Sequence, residues 1–321
     1  MLMYSAAIIV GLALLIWGAD LMVVGASVTA RRFGVSPMLV GLTIVGFATS
    51  APEILVAIAA ALSNAPNLAI GNAIGSNIAN IGLIGGATAV AYPLVVHSQT
   101  LRRELPVMVA VSIVPAIFVF DSSLSRLEGF LMLAMFVGFM YWIVQLGLRT
   151  RGHDSIEQEY ASEIPTDVTI QGATLRLIVG LAALSLGARS LVWGSEAVAT
   201  ALGISDMIIG ITIVALGTSL PELAVSLASA RKGEHSLAFG NIIGSNGFNA
   251  LAVIGITAAI QPAELDPSAV SVHIPAMLAF TVAFFFMAYN WSGKITVSRT
   301  AGALLLTGYI AYMTFIATQT F

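Results

Sequence analysis

Gly46-Phe47-Ala48-Thr49-Ser50-Ala51-Pro52-Glu53 decides how this chain is read, because it occurs again as Ala215-Leu216-Gly217-Thr218-Ser219-Leu220-Pro221-Glu222. Each copy sets a proline and a glutamate in the middle of strongly apolar sequence. An acidic residue at the centre of a membrane helix costs about 2.5 to 3.5 kcal/mol on insertion scales. Hydrophobic selection alone would not place one there, still less two at matched positions. The pair points to a site for cations.

The surrounding composition is that of an integral membrane protein. Of the 321 residues, 58% are hydrophobic and only 9% charged, against roughly 25% charged in a soluble domain. The mean hydropathy is +0.96. With no cysteine in the chain, disulfides and thiolate metal sites are excluded. Net charge is −3, and no basic patch with interleaved aromatics suggests nucleic acid. Residues 1–30 are too long an apolar run, without a basic leader, to read as a cleaved signal peptide.

Cutting the apolar runs at charged or Pro/Gly/Asn-rich breaks leaves ten candidate membrane helices: 2–30, 36–62, 68–92, 105–120, 127–148, 174–201, 206–230, 237–260, 270–290 and 299–318. Most approach the ~20 residues that cross ~30 Å of hydrocarbon. One long polar segment, rich in Asp154, Glu157, Glu159, Glu163 and Asp167, divides them five and five. The expected fold is therefore all-α, with a first half over 1–148, an acidic linker over 149–173 and a second half over 174–321.

The halves are a repeat. Thr49 to Thr218 is a shift of 169 residues (218 − 49), and the same shift carries Glu53 onto Glu222. It also carries Gly71-Asn72 onto Gly240-Asn241, Gly75-Ser76-Asn77 onto Gly244-Ser245-Asn246, and Asn80 onto Asn249. An odd number of spans per unit makes the second copy enter the membrane from the opposite side, the inverted-repeat logic of secondary transporters. Basic residues agree with that topology. Alternate connections and their helix ends collect eleven of the thirteen Lys and Arg, the other side holds Arg126, and Arg189 falls inside the sixth helix. The positive-inside rule then puts both termini outside and the linker in the cytoplasm.

Proline at mid-span removes a backbone hydrogen bond and clashes with the carbonyl about one turn earlier. Pro52 and Pro221 should therefore free carbonyls near Gly46, Thr49, Ala215 and Thr218 to face a ligand. Ser50 with Glu53, and Ser219 with Glu222, share a helix face by their spacing of three. Asn72, Ser76 and Asn80 fall at i+4 intervals, as do Asn241, Ser245 and Asn249, each set making one polar stripe. The G-x-x-x-G spacings at Gly71/Gly75 and Gly240/Gly244 allow close helix approach. These groups are hard oxygen donors, the set suited to Na⁺ and Ca²⁺ rather than to soft metals.

The paired motifs G-x-x-T-S-x-P-E and G-N-x-x-G-S-N-x-x-N resemble the two alpha-repeats of the cation/calcium antiporter superfamily, in its sodium/calcium exchanger branch. The resemblance spans nearly the whole chain. It implies that Glu53 and Glu222 coordinate Ca²⁺ and Na⁺, that Ser50, Ser219, Ser76, Ser245, Asn80 and Asn249 complete the sites, and that Thr49, Thr218, Gly46 and Ala215 supply backbone oxygens. It further implies that the first and sixth helices slide as a pair against the other eight. Two positions depart from the pattern: Ala48 replaces a usual Gly, and Asn249 stands where K⁺-dependent relatives carry Asp. No K⁺ requirement is expected, and the G-N-x-x-G-S-N form favours Na⁺ over H⁺.

The expected protein is an antiporter of the inner (plasma) membrane, exchanging Ca²⁺ for Na⁺ by alternating access. It is not an enzyme, and it calls for no cofactor, nucleic acid or obligate protein partner beyond the bilayer. The rival readings are an H⁺/Ca²⁺ or other divalent antiporter of the same fold, an intramembrane Glu-dependent enzyme, and a Ca²⁺ sensor that moves nothing. Outside the motifs, Asp20 and Arg189 are equivalent positions that read as charges snorkelling or lining a vestibule, with an ion pair between the first and sixth helices as the alternative. Glu196 and Asp206 read as interface residues, and His97, His153, His235 and His273 as solvated.

Overall fold

The computed structural model describes residues 2–33, 37–96, 101–149, 169–201, 208, 210–289 and 295–320. Helices follow the ten apolar segments, with boundaries shifted by a few residues. The first is α1 (Leu2–Phe33). The second is broken into α2, whose pieces are Pro37–Val40, Gly41–Val45 and Gly46–Thr49, and α3 (Ala51–Leu62). Then come α4 (Pro66–Ala91), α5 (Leu101–Phe118), α6 (Arg126–Arg149) and α7 (Ile170–Ala201). The second half continues with α8 (Gly210–Val214 and Ala215–Thr218), α9 (Leu220–Arg231), α10 (His235–Ile260), α11 (Ala269–Ala288) and α12 (Arg299–Thr320). Six of these are long and apolar enough to cross a membrane, or up to seven if the bent α2–α3 pair is one span.

The duplication read from the sequence is repeated in the irregularities of the backbone. π-Helical turns occupy Gly41–Val45 and Gly210–Val214, and again Asn80–Gly85 and Phe248–Val253. Such turns inside α-helices mark functional sites more often than chance. α3 and α9 end in the same way. Asn64 (φ 59°) and Gly233 (φ 81°) adopt the left-handed conformation that closes a helix. The following amides, of Ala65 and Glu234, reach back to Ala60 O and Ser229 O at 2.9 Å.

The chain is not purely helical. Strand β1 (Leu94–Val96) pairs antiparallel with β4 (Ile295–Val297), and β2 (Ser123–Leu124) with β3 (Ala263–Glu264). Each pair joins a connection of one half to a connection of the other. These short strands escape a reading by apolar runs because they lie in the breaks between them.

α4 and α10 form the centre. Their apolar windows are 83% and 89% buried, against 22% to 28% for α6, α7, α11 and α12. Ile70, Ile74, Ile78, Phe239 and Ile242 anchor the main core around them. Peripheral helices turn large apolar side chains outward, among them Leu127, Phe130, Val137 and Tyr141 of α6. A bilayer, not water, is the solvent that such a surface suits.

α1 and α7 stand apart from this core as a pair. They meet where a Cβ at Gly18 would lie 2.9 Å from Gly180 O, and one at Gly180 2.8 Å from Gly18 O. Ala19, Met22, Val23 and Ala26 of α1 and Leu184 of α7 belong to a second apolar cluster, with Val40, Val45, Val225 and Leu237 of the bundle. The alternative pairing of Asp20 with Arg189 is not tested, because the Arg189 side chain lies outside the described residues. The Asp20 carboxylate bridges Arg231 (2.8 Å) and Lys232 (3.1 Å) at the end of α9, taking the partners that reach it in space.

Candidate ion-binding site

The two prolines act differently from simple mid-helix kinks. Each lies at the second position of a new helix, after a break at Ser50 (φ −81°, ψ 4°) or Ser219 (φ −83°, ψ 1°). Proline is tolerated there because a first-turn N–H has no helical partner anyway. The first broken pair is bent by 46°. Glu53 and Glu222 thus sit in the first turns of α3 and α9, where the positive end of the helix dipole favours negative charge. The carbonyls of Gly46 and Ala215, expected to be free, accept the amides of Ser50 and Ser219 at 3.0 Å. Each is also approached by a second, longer donor, the Thr49 or Thr218 hydroxyl at 3.4 Å.

Both glutamates are fully buried, as are Ser76, Asn80, Ser245 and Asn249, with Thr49, Ser50, Thr218 and Ser219 nearly so. The halves interlock across this site. Ser50 Oγ of the first half donates to Glu222 Oε1 at 3.3 Å, and Ser245 Oγ to the same oxygen at 3.4 Å. Thr218 and Ser219 lie alongside the Glu53 carboxyl in return. Ser76 and Thr218 hydroxyls are 3.5 Å apart, and Asn80 Nδ2 donates to Asn246 Oδ1 at 3.0 Å. The fold thereby joins Ser50 and Ser245 to Glu222 and Ser76 to Thr218, whereas neither Asn80 nor Asn249 makes a hydrogen bond to a glutamate.

The site's most informative feature is what stays unmet. Both Glu53 oxygens, Glu222 Oε2, Ser219 Oγ, Asn80 Oδ1 and both polar atoms of Asn249 are buried without a hydrogen-bond partner in the protein. Buried polar groups are ordinarily satisfied, and each exception calls for an explanation. Here the unmet atoms are mostly oxygens on the motifs, the donor set of a hard cation. Among the described residues no group of three or more His, Asp or Glu side chains gathers in one place. The acidic charge of the site is that of two glutamates.

Sequence reasoning missed the residues that hold the threonines. Thr49 Oγ1 donates to Asn241 Oδ1 and Thr218 Oγ1 to Asn72 Oδ1, both at 3.1 Å. The duplicated Gly-Asn pair carried that signal, although not which half each asparagine would serve. His273, expected to be solvated, is 3% exposed and hydrogen-bonded through Nδ1 to the Tyr312 hydroxyl at 2.9 Å. A π-helical turn over Ala269–His273 turns it inward, which spacing alone does not reveal. His97, His153 and Asp206 lie outside the described residues, as does the side chain of Glu196.

Comparison with known proteins decides the family. The sodium/calcium exchanger protein family model matches residues 3–145 and 172–318, both halves and not the linker. The chain belongs to the sodium/calcium exchanger family. It is 44% identical over 312 residues to the putative antiporter CaxA of Alkalimonas amylolytica, covering 97% of this chain and 98% of that one. It is 30% identical to the sodium/calcium exchanger MaX1 of Methanosarcina acetivorans, covering 95% of this chain and 96% of the relative. Among solved structures, the sodium-calcium exchanger NCX_Mj soaked with Na⁺ and Sr²⁺ superposes with a TM-score of 0.81 at 31% identity, over 98% of both chains. Two of these three are named sodium/calcium exchangers, and the family membership places this chain in the membrane.

Proposed function

We propose that this protein is a secondary active antiporter that exchanges Ca²⁺ for Na⁺, with the exchange site centred on Glu53 and Glu222. The observation that carries the reading is the pair of fully buried glutamates with unmet oxygens, each facing the Thr-Ser of the opposite half. Two carboxylates neutralise one Ca²⁺ or share several Na⁺, so occupancy by one ion excludes the other. Ser50, Ser219, Ser76, Ser245, Asn80 and Asn249 add side-chain oxygens, and Gly46, Ala215, Thr49 and Thr218 add backbone oxygens. Transfer needs only competition for these groups and alternating access to them.

The architecture proposed for that task has ten spans, as two inverted five-helix halves over 1–148 and 174–321 joined by the linker 149–173. Both termini lie outside and the linker in the cytoplasm. α1 and α7, closely apposed at Gly18 and Gly180, move as a unit against the rest and open one side at a time. A relative that is 40% identical over 98% of this chain and 96% of its own length, from Escherichia coli, is named an inner membrane protein, which supports placement in the inner membrane.

Uptake of radiolabelled Ca²⁺ into proteoliposomes tests the reading. Na⁺-loaded vesicles should take up Ca²⁺ and choline-loaded ones should not, and Glu53→Gln or Glu222→Gln should abolish uptake. Uptake driven by a pH gradient alone would assign H⁺ as the coupling ion. No Ca²⁺ flux from folded protein under either gradient would overturn the function.

A further inference from the structure

The two halves of the site are not held equally. In the second half, Asn241 is fully engaged. Its Oδ1 accepts Thr49 Oγ1 at 3.1 Å, and its Nδ2 donates to the Glu222 backbone carbonyl at 3.2 Å and to Ser226 Oγ at 3.0 Å. One side chain thus ties α10 to the Glu222 turn of α9 and to Thr49 of the opposite half. All of Asn241, Ser226 and Glu222 are fully buried.

The first half has the same asparagine without the same anchorage. Asn72 Oδ1 accepts Thr218 Oγ1 at 3.1 Å, but Asn72 Nδ2 is buried and unpartnered. The residue equivalent to Ser226 is Ala57 (226 − 169 = 57), also fully buried, and a methyl group accepts no hydrogen bond. The carboxylates differ in the same sense: Glu222 Oε1 accepts the Ser50 and Ser245 hydroxyls at 3.3 and 3.4 Å, whereas Thr218 and Ser219 lie alongside Glu53 without completing a hydrogen bond to either oxygen.

We propose that Ser226 is a positioning residue for ion binding, acting through Asn241 to fix the Glu222 half of the site, while Ala57 leaves the Glu53 half free to adjust to the ion present. The inference rests on the exchanger reading above. A ligand held in place before binding loses less freedom when the ion arrives, so Ser226 raises affinity. A ligand left adjustable suits a site that must accept two ions of different charge and release both. Serving both ions is the work of Glu53, and Ser226 gives it a fixed partner to close against.

The test compares wild type, Ser226→Ala and Ala57→Ser in the same proteoliposome assay, with maximal rate and half-saturating Ca²⁺ measured separately. Ion-free melting temperature is recorded for each. Ser226→Ala should raise the half-saturating concentration about tenfold, the loss expected when one buried donor is left unpaired, with maximal rate within about twofold. Ala57→Ser, by giving Asn72 Nδ2 an acceptor, should lower the half-saturating concentration and slow the maximal rate. A merely structural Ser226 would lower melting temperature and rate while leaving half-saturation where it was, and that result overturns the proposal, as does no change at all. An Ala57→Ser protein indistinguishable from wild type overturns the asymmetry between the halves. Absence of Ca²⁺ flux in the wild type overturns the exchanger reading and this one together, whereas wild-type exchange with an unshifted Ser226→Ala overturns this one alone.

Discussion

Gly75 and Gly244 show how narrowly single residues control the site. A Cβ on Gly244 would come within 2.7 Å of Leu42 O and 3.0 Å of Leu42 Cα in α2. A Cβ on Gly75 would meet the equivalent residue of the other half, Ile211 in α8, at its carbonyl and Cα, and Ala215 Cβ at 2.8 Å. The obstacles are mostly backbone, so no rotamer change relieves them. Gly75→Ala and Gly244→Ala should each cost about 1 to 3 kcal/mol by overpacking, read as a lower melting temperature in detergent. Both should also weaken ion binding, because the displaced backbone leads into Gly46 or Ala215. The control is Gly138→Ala: a Cβ there meets nothing within 4 Å, and melting should stay near wild type. Equal stability of Gly244→Ala and wild type would show that α2 and α10 are not tightly apposed.

At the scale of elements, the broken helices distinguish what proline does from what serine does. Ser50 leaves the helical conformation, and Pro52 starts the next helix without an N–H to offer Ala48 O. Pro52→Ala and Pro221→Ala keep the turn residue and restore that donor. Proline at a first-turn position stabilises by only about 0.4 to 1 kcal/mol, through the unfolded chain, so the variants should fold with melting temperatures within a few degrees of wild type. Ca²⁺ uptake should nevertheless fall several-fold, because a straighter helix turns Glu53 or Glu222 away from the opposite half. Unchanged uptake would assign the break to the serines alone. The breaks also mark the limit of legibility in the sequence. Duplication of Thr49-Ser50 and Glu53 in register disclosed the repeat and singled out the two acids that the fold buries beside its helix breaks, since burying an acid in apolar sequence is costly enough to be informative alone. The π-helical turns were not visible, because the runs Gly41–Val45 and Asn80–Gly85 read as ordinary apolar helix and gain their shape from packing against the other half. Nor did spacing show that Thr49 would bind Asn241 across 192 positions of sequence. Nor did repeat equivalence show that Arg231 and Lys232 would reach Asp20, because it relates residues by symmetry, whereas contact depends on where the helices cross.

At the scale of the whole molecule, the inverted arrangement makes a claim that equivalent residues must report from opposite sides. Ser63 and Lys232 are equivalent by the shift of 169 (232 − 63), and both lie in the exposed turns that close α3 and α9. Local structure there is nearly identical, with the same cap built on Asn64 and Gly233, so any difference in labelling arises from sidedness and not from local burial. The chain contains no cysteine, and a single introduced thiol therefore reports alone. In right-side-out vesicles, Ser63→Cys should react with a membrane-impermeant maleimide, and Lys232→Cys should react only after the membrane is opened with detergent. In inside-out vesicles the order should reverse. Lys232→Cys also removes one of the two partners of Asp20 but leaves Arg231 at 2.8 Å, and an exposed ion pair contributes only about 0.2 to 1 kcal/mol, so the labelled protein should remain folded. Reaction of both thiols from the same side would place the two halves in parallel. The proposed ten-span count would then fail, because a five-helix unit repeated without an extra span enters the membrane from opposite sides.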